Sequence, residues 1–207
     1  MKLIIGDKFA GSSNNETIPV TNPYDGSTLD TIPHATREDV ELAVKYAVQA
    51  QKSWKRVPVY QRAELAMAFV ERVRQHKEEL AETLTRESGK TITESRNEIN
   101  NIFTAWPAFC EKSKHLYGEV IPGGMERGHD KNIVLTRREP VGVVACIIPF
   151  NFPCNLFNQK VAPALLAGNA VVIKPATDNP LTVCKLAALL LEAGFPSGTV
   201  QLVTGRG

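Results

Sequence analysis

Val141-Gly142-Val143-Val144-Ala145-Cys146-Ile147-Ile148-Pro149-Phe150-Asn151-Phe152-Pro153 is the stretch whose reading decides the fold. Eight residues with no charge, mostly β-branched or small, suit a strand buried on both faces, as in a parallel sheet. The two prolines that follow restrict the backbone to few conformers and bracket an amide at the carboxyl end of that strand. Working toward the C-terminus, Asn155 to Leu166 reads as a helix stopped by Gly168. Ala170 to Lys174 is a second buried strand, Thr182 to Glu192 a second helix closed by Gly194, and Val200 to Val203 a third strand. A β-α-β-α-β order implies a doubly wound sheet with nucleotide-binding capacity at its carboxyl edge. Gly205-Arg206-Gly207 follows the third strand. A Gly-x-Gly there ordinarily opens a phosphate-facing turn before a helix, and no helix follows, so the expectation is a truncated fold. The competing reading is a genuine edge strand with a frayed tail.

Toward the N-terminus the texture is helical. Thr36 and Asp39 read as a capping box, after which Val40, Ala43, Val44, Ala47 and Trp54 fall near one face. Pro58 opens a second helix whose stripe Leu65, Phe69, Val73 and Leu80 runs to about Glu87. Ser88-Gly89-Lys90 breaks it, and a third helix is expected from about Glu94 to Tyr117, kinked by Pro107. Such stripes mostly build packed core. Residues 1 to 35 hold short extended pieces (Lys2 to Ile5, Glu16 to Thr21, Thr28 to Ile32) that suggest hairpins at an edge. Gly118 to Asp130 is Gly-rich and irregular, and Lys131 to Arg138 alternates as an exposed strand does.

A chain of 207 residues that is 43% hydrophobic and 22% charged can bury a sizeable core. Net charge is +2 and no basic run exceeds a pair such as Arg137-Arg138, which argues against nucleic acid or a membrane surface as partner. The longest apolar stretch, Val161 to Ile173, is interrupted and too short to span a bilayer. Cys110, Cys146, Cys154 and Cys184 have no paired spacing, and the opening residues carry no signal-peptide apolar region; both point to reduced thiols in a cytoplasmic protein. His34, His76, His115 and His129 have no spacing suited to a metal.

Two side chains stand out chemically. A carboxamide held at Asn151 can donate to an oxygen that gains charge during a reaction, and it can equally cap the next helix. Lys174, in Lys174-Pro175-Ala176-Thr177, reaches the carboxyl edge, where its ammonium can meet ribose hydroxyls or a phosphate; a solvated strand-end lysine is the plainer reading. Cys154, three residues past Asn151, reads as a small apolar residue at a helix start.

The motifs Pro149-Phe150-Asn151-Phe152-Pro153, Lys160-Val161-Ala162-Pro163-Ala164-Leu165, Ala167-Gly168-Asn169, Lys174-Pro175-Ala176 and Ala193-Gly194-Phe195-Pro196 with Gly198 together resemble the aldehyde dehydrogenase superfamily. Upstream, Asn22-Pro23, Arg62, and Glu87-Ser88-Gly89-Lys90 followed by Glu98 fit the same pattern, so the resemblance covers nearly the whole chain. It implies an α/β fold: an N-terminal helical layer plus a Rossmann-like open parallel sheet with a protruding oligomerisation arm. Residues 1–121 would be the N-terminal part of the cofactor-binding domain, 122–140 the arm, 141–207 the start of the dinucleotide-binding sheet, and the catalytic domain would be absent.

The implied activity is NAD- or NADP-dependent oxidation of an aldehyde to a carboxylic acid in a homo-dimer or homo-tetramer. By resemblance Asn151 stabilises the thiohemiacetal oxyanion and Lys174, with Pro175 and Thr177 beside it, holds the adenosine ribose. Ile147, Ile148, Pro149 and Phe150 line the cofactor cleft, and Gly205 and Gly207 begin the turn beside the pyrophosphate. NAD-specific relatives often place a glutamate where Thr177 stands, so NADP is expected to be tolerated. Phe150 in place of the commoner tryptophan resembles branches acting on lactaldehyde, glycolaldehyde or glyceraldehyde. The family's cysteine nucleophile and glutamate base have no counterpart before Gly207, so the chain alone is expected to be inactive. A non-catalytic dinucleotide-binding module and a structural oligomer are the alternatives.

Overall fold

The computed structural model describes residues 1–206; Gly207 lies outside them. The chain opens with a hairpin, β1 (Leu3–Ile5) and β2 (Lys8–Ala10), and a second antiparallel pair, β3 (Thr17–Thr21) and β4 (Thr28–Pro33). Five helices follow: α1 (Arg37–Trp54), α2 (Val59–Gln75), α3 (Lys77–Ser88), α4 (Ile92–Asn100) and α5 (Ile102–Ser113). A two-stranded ribbon, β5 (Val120–Ile121) and β6 (Val134–Leu135), leads to β7 (Val143–Ile147), α6 (Pro153–Leu166), β8 (Ala170–Lys174), α7 (Leu181–Glu192) and β9 (Val200–Leu202).

The main sheet has the order β2-β1-β9-β8-β7. Its last three strands are parallel, as the β-α-β-α-β pattern requires, and β1 closes antiparallel onto β9 through Ile4 and Leu202. The third strand is therefore interior, not an edge, and the N-terminal hairpin extends the sheet at the side the sequence left open. The opposite edge is β7. Its apolar run is covered on one face only: Cys146 and Ile148 are buried, whereas Ala145 and Ile147 lie exposed, Ile147 by 64%. The expectation of burial on both faces fails here because α1 packs mainly over β8 and β9 and leaves the carboxyl half of β7 uncovered on that face.

Alternation along β8 sorts the core into two layers. Val171 and Ile173 face α6 and α7, while Ala170 and Val172 face α1. The latter layer is thin: Ala43 and Ala47 of α1 bring the helix close to the sheet. Val40 and Val44, expected on that face, are 38% and 40% exposed, because the buried line runs instead through Asp39, Ala43, Ala47, Gln51 and Trp54. The thicker layer is knitted by aromatics. Phe69 meets Trp106 with ring centroids 4.4 Å apart, Phe157 lies beside both, and the Trp106 indole donates to Asn158 Oδ1 at 2.8 Å. Each fully buried aromatic contributes roughly 2–3 kcal/mol of apolar burial.

Two long helices of the sequence reading are divided. The stripe from Pro58 to Glu87 breaks at His76, where φ is −105°. The Glu94-to-Tyr117 helix becomes α4 and α5, parted at Asn101 and not at Pro107, which is accommodated inside α5. Thr91 starts α4 with a full capping box to Glu94, and Thr36 does the same for α1 with Asp39. Lys131 to Arg138 forms only the two residues of β6, since its partner strand ends at Ile121 before Pro122, which has no N–H to offer. The ribbon presents Val120, Ile133 and Leu135 at 67% exposure or more.

Candidate active site

Asn151 lies four residues past the end of β7, in an exposed loop that runs directly into α6. Its carboxamide makes no hydrogen bond within the described residues, and α6 has no side-chain cap from its own N-terminal residues. The capping alternative for Asn151 is therefore not realised. The cap comes from far away in sequence. Glu98 Oε1 on α4 accepts from Cys154 N at 2.8 Å and from Asn155 N at 3.3 Å. Glu98 Oε2 is paired with Lys90 Nζ at 2.5 Å, and that ammonium lies 4.3 Å from the centre of the Phe152 ring. A carboxylate at a helix N-terminus meets both unsatisfied N–H groups and the positive end of the helix dipole.

The loop is held on its other side as well. Ile148 N donates to Lys174 O at 2.8 Å, and Asn179 Nδ2 donates to Phe150 O at 2.7 Å. Asn179 Oδ1 is buried with no partner among the described residues. A crevice of about 300 Å³ opens beside the loop, lined by Glu87, Ser88, Lys90, Phe150, Asn151 and Asn179 among others. Sequence reading did not single out Asn179. Lys90 and Glu98 were visible as part of a family pattern but without a role, because a cap supplied by another element leaves no local spacing signal.

The cofactor candidates sit at the same carboxyl end. Ile147 pairs with Lys174 in register across β7 and β8, so both side chains leave the sheet on the face that carries α1. Lys174 is half-buried, and burial lowers the pKa of its ammonium. It has no carboxylate partner among the described residues; its ammonium donates to Pro175 O at 3.4 Å. Thr177 Oγ1 donates to Gly205 O at 2.9 Å, which ties the loop after β8 to the end of β9. Pro149 and Phe150 are exposed, Phe150 by 66%; the Ile148 side chain points into the core, so only its backbone faces the loop. Pro175 is buried. Gly207 falls outside the described residues. Lys174 does not line the crevice beside Asn151, although the two stand at the ends of neighbouring strands.

All four cysteines are buried. Burial pushes the Cys146 thiol up to about 12 and raises Cys110, Cys154 and Cys184 as well, with the Glu98 and Glu87 charges adding to the effect at Cys154. A thiol so shifted is not a nucleophile at neutral pH. Among the described residues no cluster of His, Cys, Asp or Glu could hold a metal ion, and no helix is long and apolar enough to cross a membrane.

Residues 9–207 match the family model described as the aldehyde dehydrogenase family. The chain is 40% identical over 199 residues to a 3-sulfolactaldehyde dehydrogenase of Pseudomonas putida, covering 95% of this chain and 40% of that protein. It is 35% identical over 207 residues to a D-glyceraldehyde dehydrogenase (NADP(+)) of Picrophilus torridus, covering all of this chain and 41% of that one. Among solved structures, an NADP-dependent glyceraldehyde-3-phosphate dehydrogenase from Bacillus halodurans C-125 complexed with NADP superposes with a TM-score of 0.96 at 36% identity, over 100% of this chain and 44% of that chain. The chain thus spans about 40% of the length of these curated relatives. On the strength of the match over residues 9–207 and the shared fold, the chain belongs to the aldehyde dehydrogenase family.

Proposed function

We propose that the protein carrying this chain oxidises an aldehyde to a carboxylic acid, with NAD or NADP as hydride acceptor. One observation carries the reading: Asn151 presents an unengaged carboxamide at the carboxyl end of an edge strand, on backbone tied down at Phe150 and at Cys154. An amide held in that way donates to the oxyanion of the reacting aldehyde without reorganising when charge develops. The half-buried, carboxylate-free ammonium of Lys174 and the exposed Ile147 beside it fit a ribose and a flat apolar group. Thr177 brings no carboxylate to repel a 2′-phosphate, so NADP is accepted along with NAD. No cysteine here is fit for attack, and the nucleophile and its base are assigned to the part of the relatives' length that this chain does not span.

The substrate class we propose is a short hydroxylated aldehyde; the names of the Pseudomonas and Picrophilus relatives and the Phe150 position support it. The ribbon of β5 and β6, with its exposed Val120, Ile133 and Leu135, is the proposed arm of a homo-dimer or homo-tetramer, and four unpaired cysteines suit a cytoplasmic enzyme. The test is turnover of an aldehyde panel by the complete protein with NAD and NADP, followed by nicotinamide absorbance. Replacing Asn151 by Ala is expected to lower kcat by about 100- to 1,000-fold. Cofactor binding without turnover of any aldehyde would replace this reading with a non-catalytic binding module. Absence of both would leave a structural oligomer.

A further inference from the structure

From the contacts around Phe152 we infer that Lys90 and Glu98 are positioning residues for Asn151, forming a strut from the helical layer to the loop between β7 and α6. The inference rests on the proposed role of Asn151. The strut has three joints. Glu98 Oε1 receives the first free N–H groups of α6, at Cys154 and Asn155. Glu98 Oε2 receives Lys90 Nζ. The Lys90 ammonium then rests over the Phe152 ring, the residue directly after Asn151. Glu98 is 3% exposed and Lys90 19%, so water screens the pair little.

Phe152 itself is 51% exposed, and packing by itself does not fix it. Its ring has one polar clamp, the cation above it, a contact worth about 1–2 kcal/mol when part-desolvated. The loop cannot shift at Phe152 without disturbing this clamp, nor at Cys154 without uncapping α6. Asn179 restrains the preceding residue through the Phe150 carbonyl. Asn151 is thus fixed from both sides while its own side chain stays free. A displacement of about 1 Å at such a group costs on the order of 100-fold in rate, so residues that only touch its neighbours control turnover.

The experiment compares Lys90→Met, Lys90→Arg and Glu98→Gln in the complete protein, with Arg96→Gln as control. Lys90→Met and Glu98→Gln are expected to lower kcat by about 100-fold with KM nearly unchanged, Lys90→Arg to recover most of the loss, and Arg96→Gln to change nothing. In an Asn151→Ala background the Lys90→Met loss should disappear, since a strut has nothing left to position. A Lys90→Met loss of the same size with and without Asn151 overturns the inference. Hydrogen exchange of the 149–158 segment gives a readout independent of turnover: Lys90→Met should speed exchange at Cys154 and Asn155 about tenfold. Exchange unchanged by Lys90→Met overturns the strut even if the wild-type protein oxidises no aldehyde, an outcome that would separately defeat the functional reading.

Discussion

The β7–α6 and β8–α7 units share one plan and differ in one charge. Each helix begins on a glutamate lent by the helical layer, Glu98 for α6 and Glu87 for α7. Glu87 accepts from Leu181 N at 2.5 Å, from Thr182 N at 2.9 Å and from the Thr182 hydroxyl. Each helix ends on a glycine of positive φ, Gly168 at +89° and Gly194 at +98°, with the paired i→i−3 and i→i−5 bonds of a Schellman stop. The difference is Lys90. Glu98 has a cation in contact; Glu87 has none in contact among the described residues, and burial pushes its carboxyl up to about 7 against the pull of its three donors and of the more distant Lys185 charge. The pairing falls at the unit whose loop carries the exposed Asn151. A cap alone anchors a helix; a cap with a cation also reaches over the loop in front of it.

The sharpest break in this comparison is removal of the paired cap. Glu98→Ala leaves Lys90 unpaired and two N–H groups open, and should cost about 3–4 kcal/mol in a urea melt at pH 7. Glu87→Gln at the same pH should cost about 1–2 kcal/mol, because the amide keeps one accepting oxygen and turns its NH2 toward a donor. Equal losses would mean that the cation makes no difference between the caps.

A pH series separates the two next. An unfolded glutamate releases its proton near 4.5, whereas folded Glu87 keeps it to about 7. Between these values the native state binds more protons than the unfolded chain, so Glu87 makes stability fall as pH rises. The loss amounts to about 3 kcal/mol, is absent below the lower value and complete above the upper one. Subtracting the Glu87→Gln melts from the wild-type melts isolates it; a flat difference across the window would return Glu87 to the status of an ordinary ionised cap.

The helix ends offer a smaller contrast. A Cβ on Gly168 would stand 2.7 Å from Arg62 Nη1, a buried guanidinium, and one on Gly194 would stand 3.3 Å from a movable Leu65 methyl. Gly168→Ala should cost about 2–3 kcal/mol and Gly194→Ala about 1 kcal/mol in thermal melts. The smallest effect expected is none at all: thiol reagent at pH 7 should leave Cys154 and Cys184, one in the first turn of each helix, unlabelled in the native protein. Rapid native labelling of Cys154 would reopen it as a nucleophile.

How much was legible depended on whether the signal was local. The strand-helix alternation from Val141 to Val203, the capping box at Thr36 and the stops at Gly168 and Gly194 are spelled by neighbours in the chain, and each is found where the spacing put it. The breaks at His76 and Asn101 were not, since apolar periodicity continues across both and packing against other helices decides where the axis turns. The one-sided burial of β7 was not legible either, because an apolar run reads alike at the edge and the centre of a sheet.

By itself, then, the chain determined its strand and helix inventory, its parallel sheet and the presence of an amide and an ammonium at neighbouring strand ends. Those follow from side-chain period, backbone restriction at proline and positive φ at glycine, all set within a few residues. Tertiary structure decided which edge stayed open, which residue caps α6, and what holds Asn151 still. These depend on charges brought together across intervals such as that from Glu98 to Cys154, and a hydrogen bond or ion pair forms by distance in space, whatever the distance along the chain.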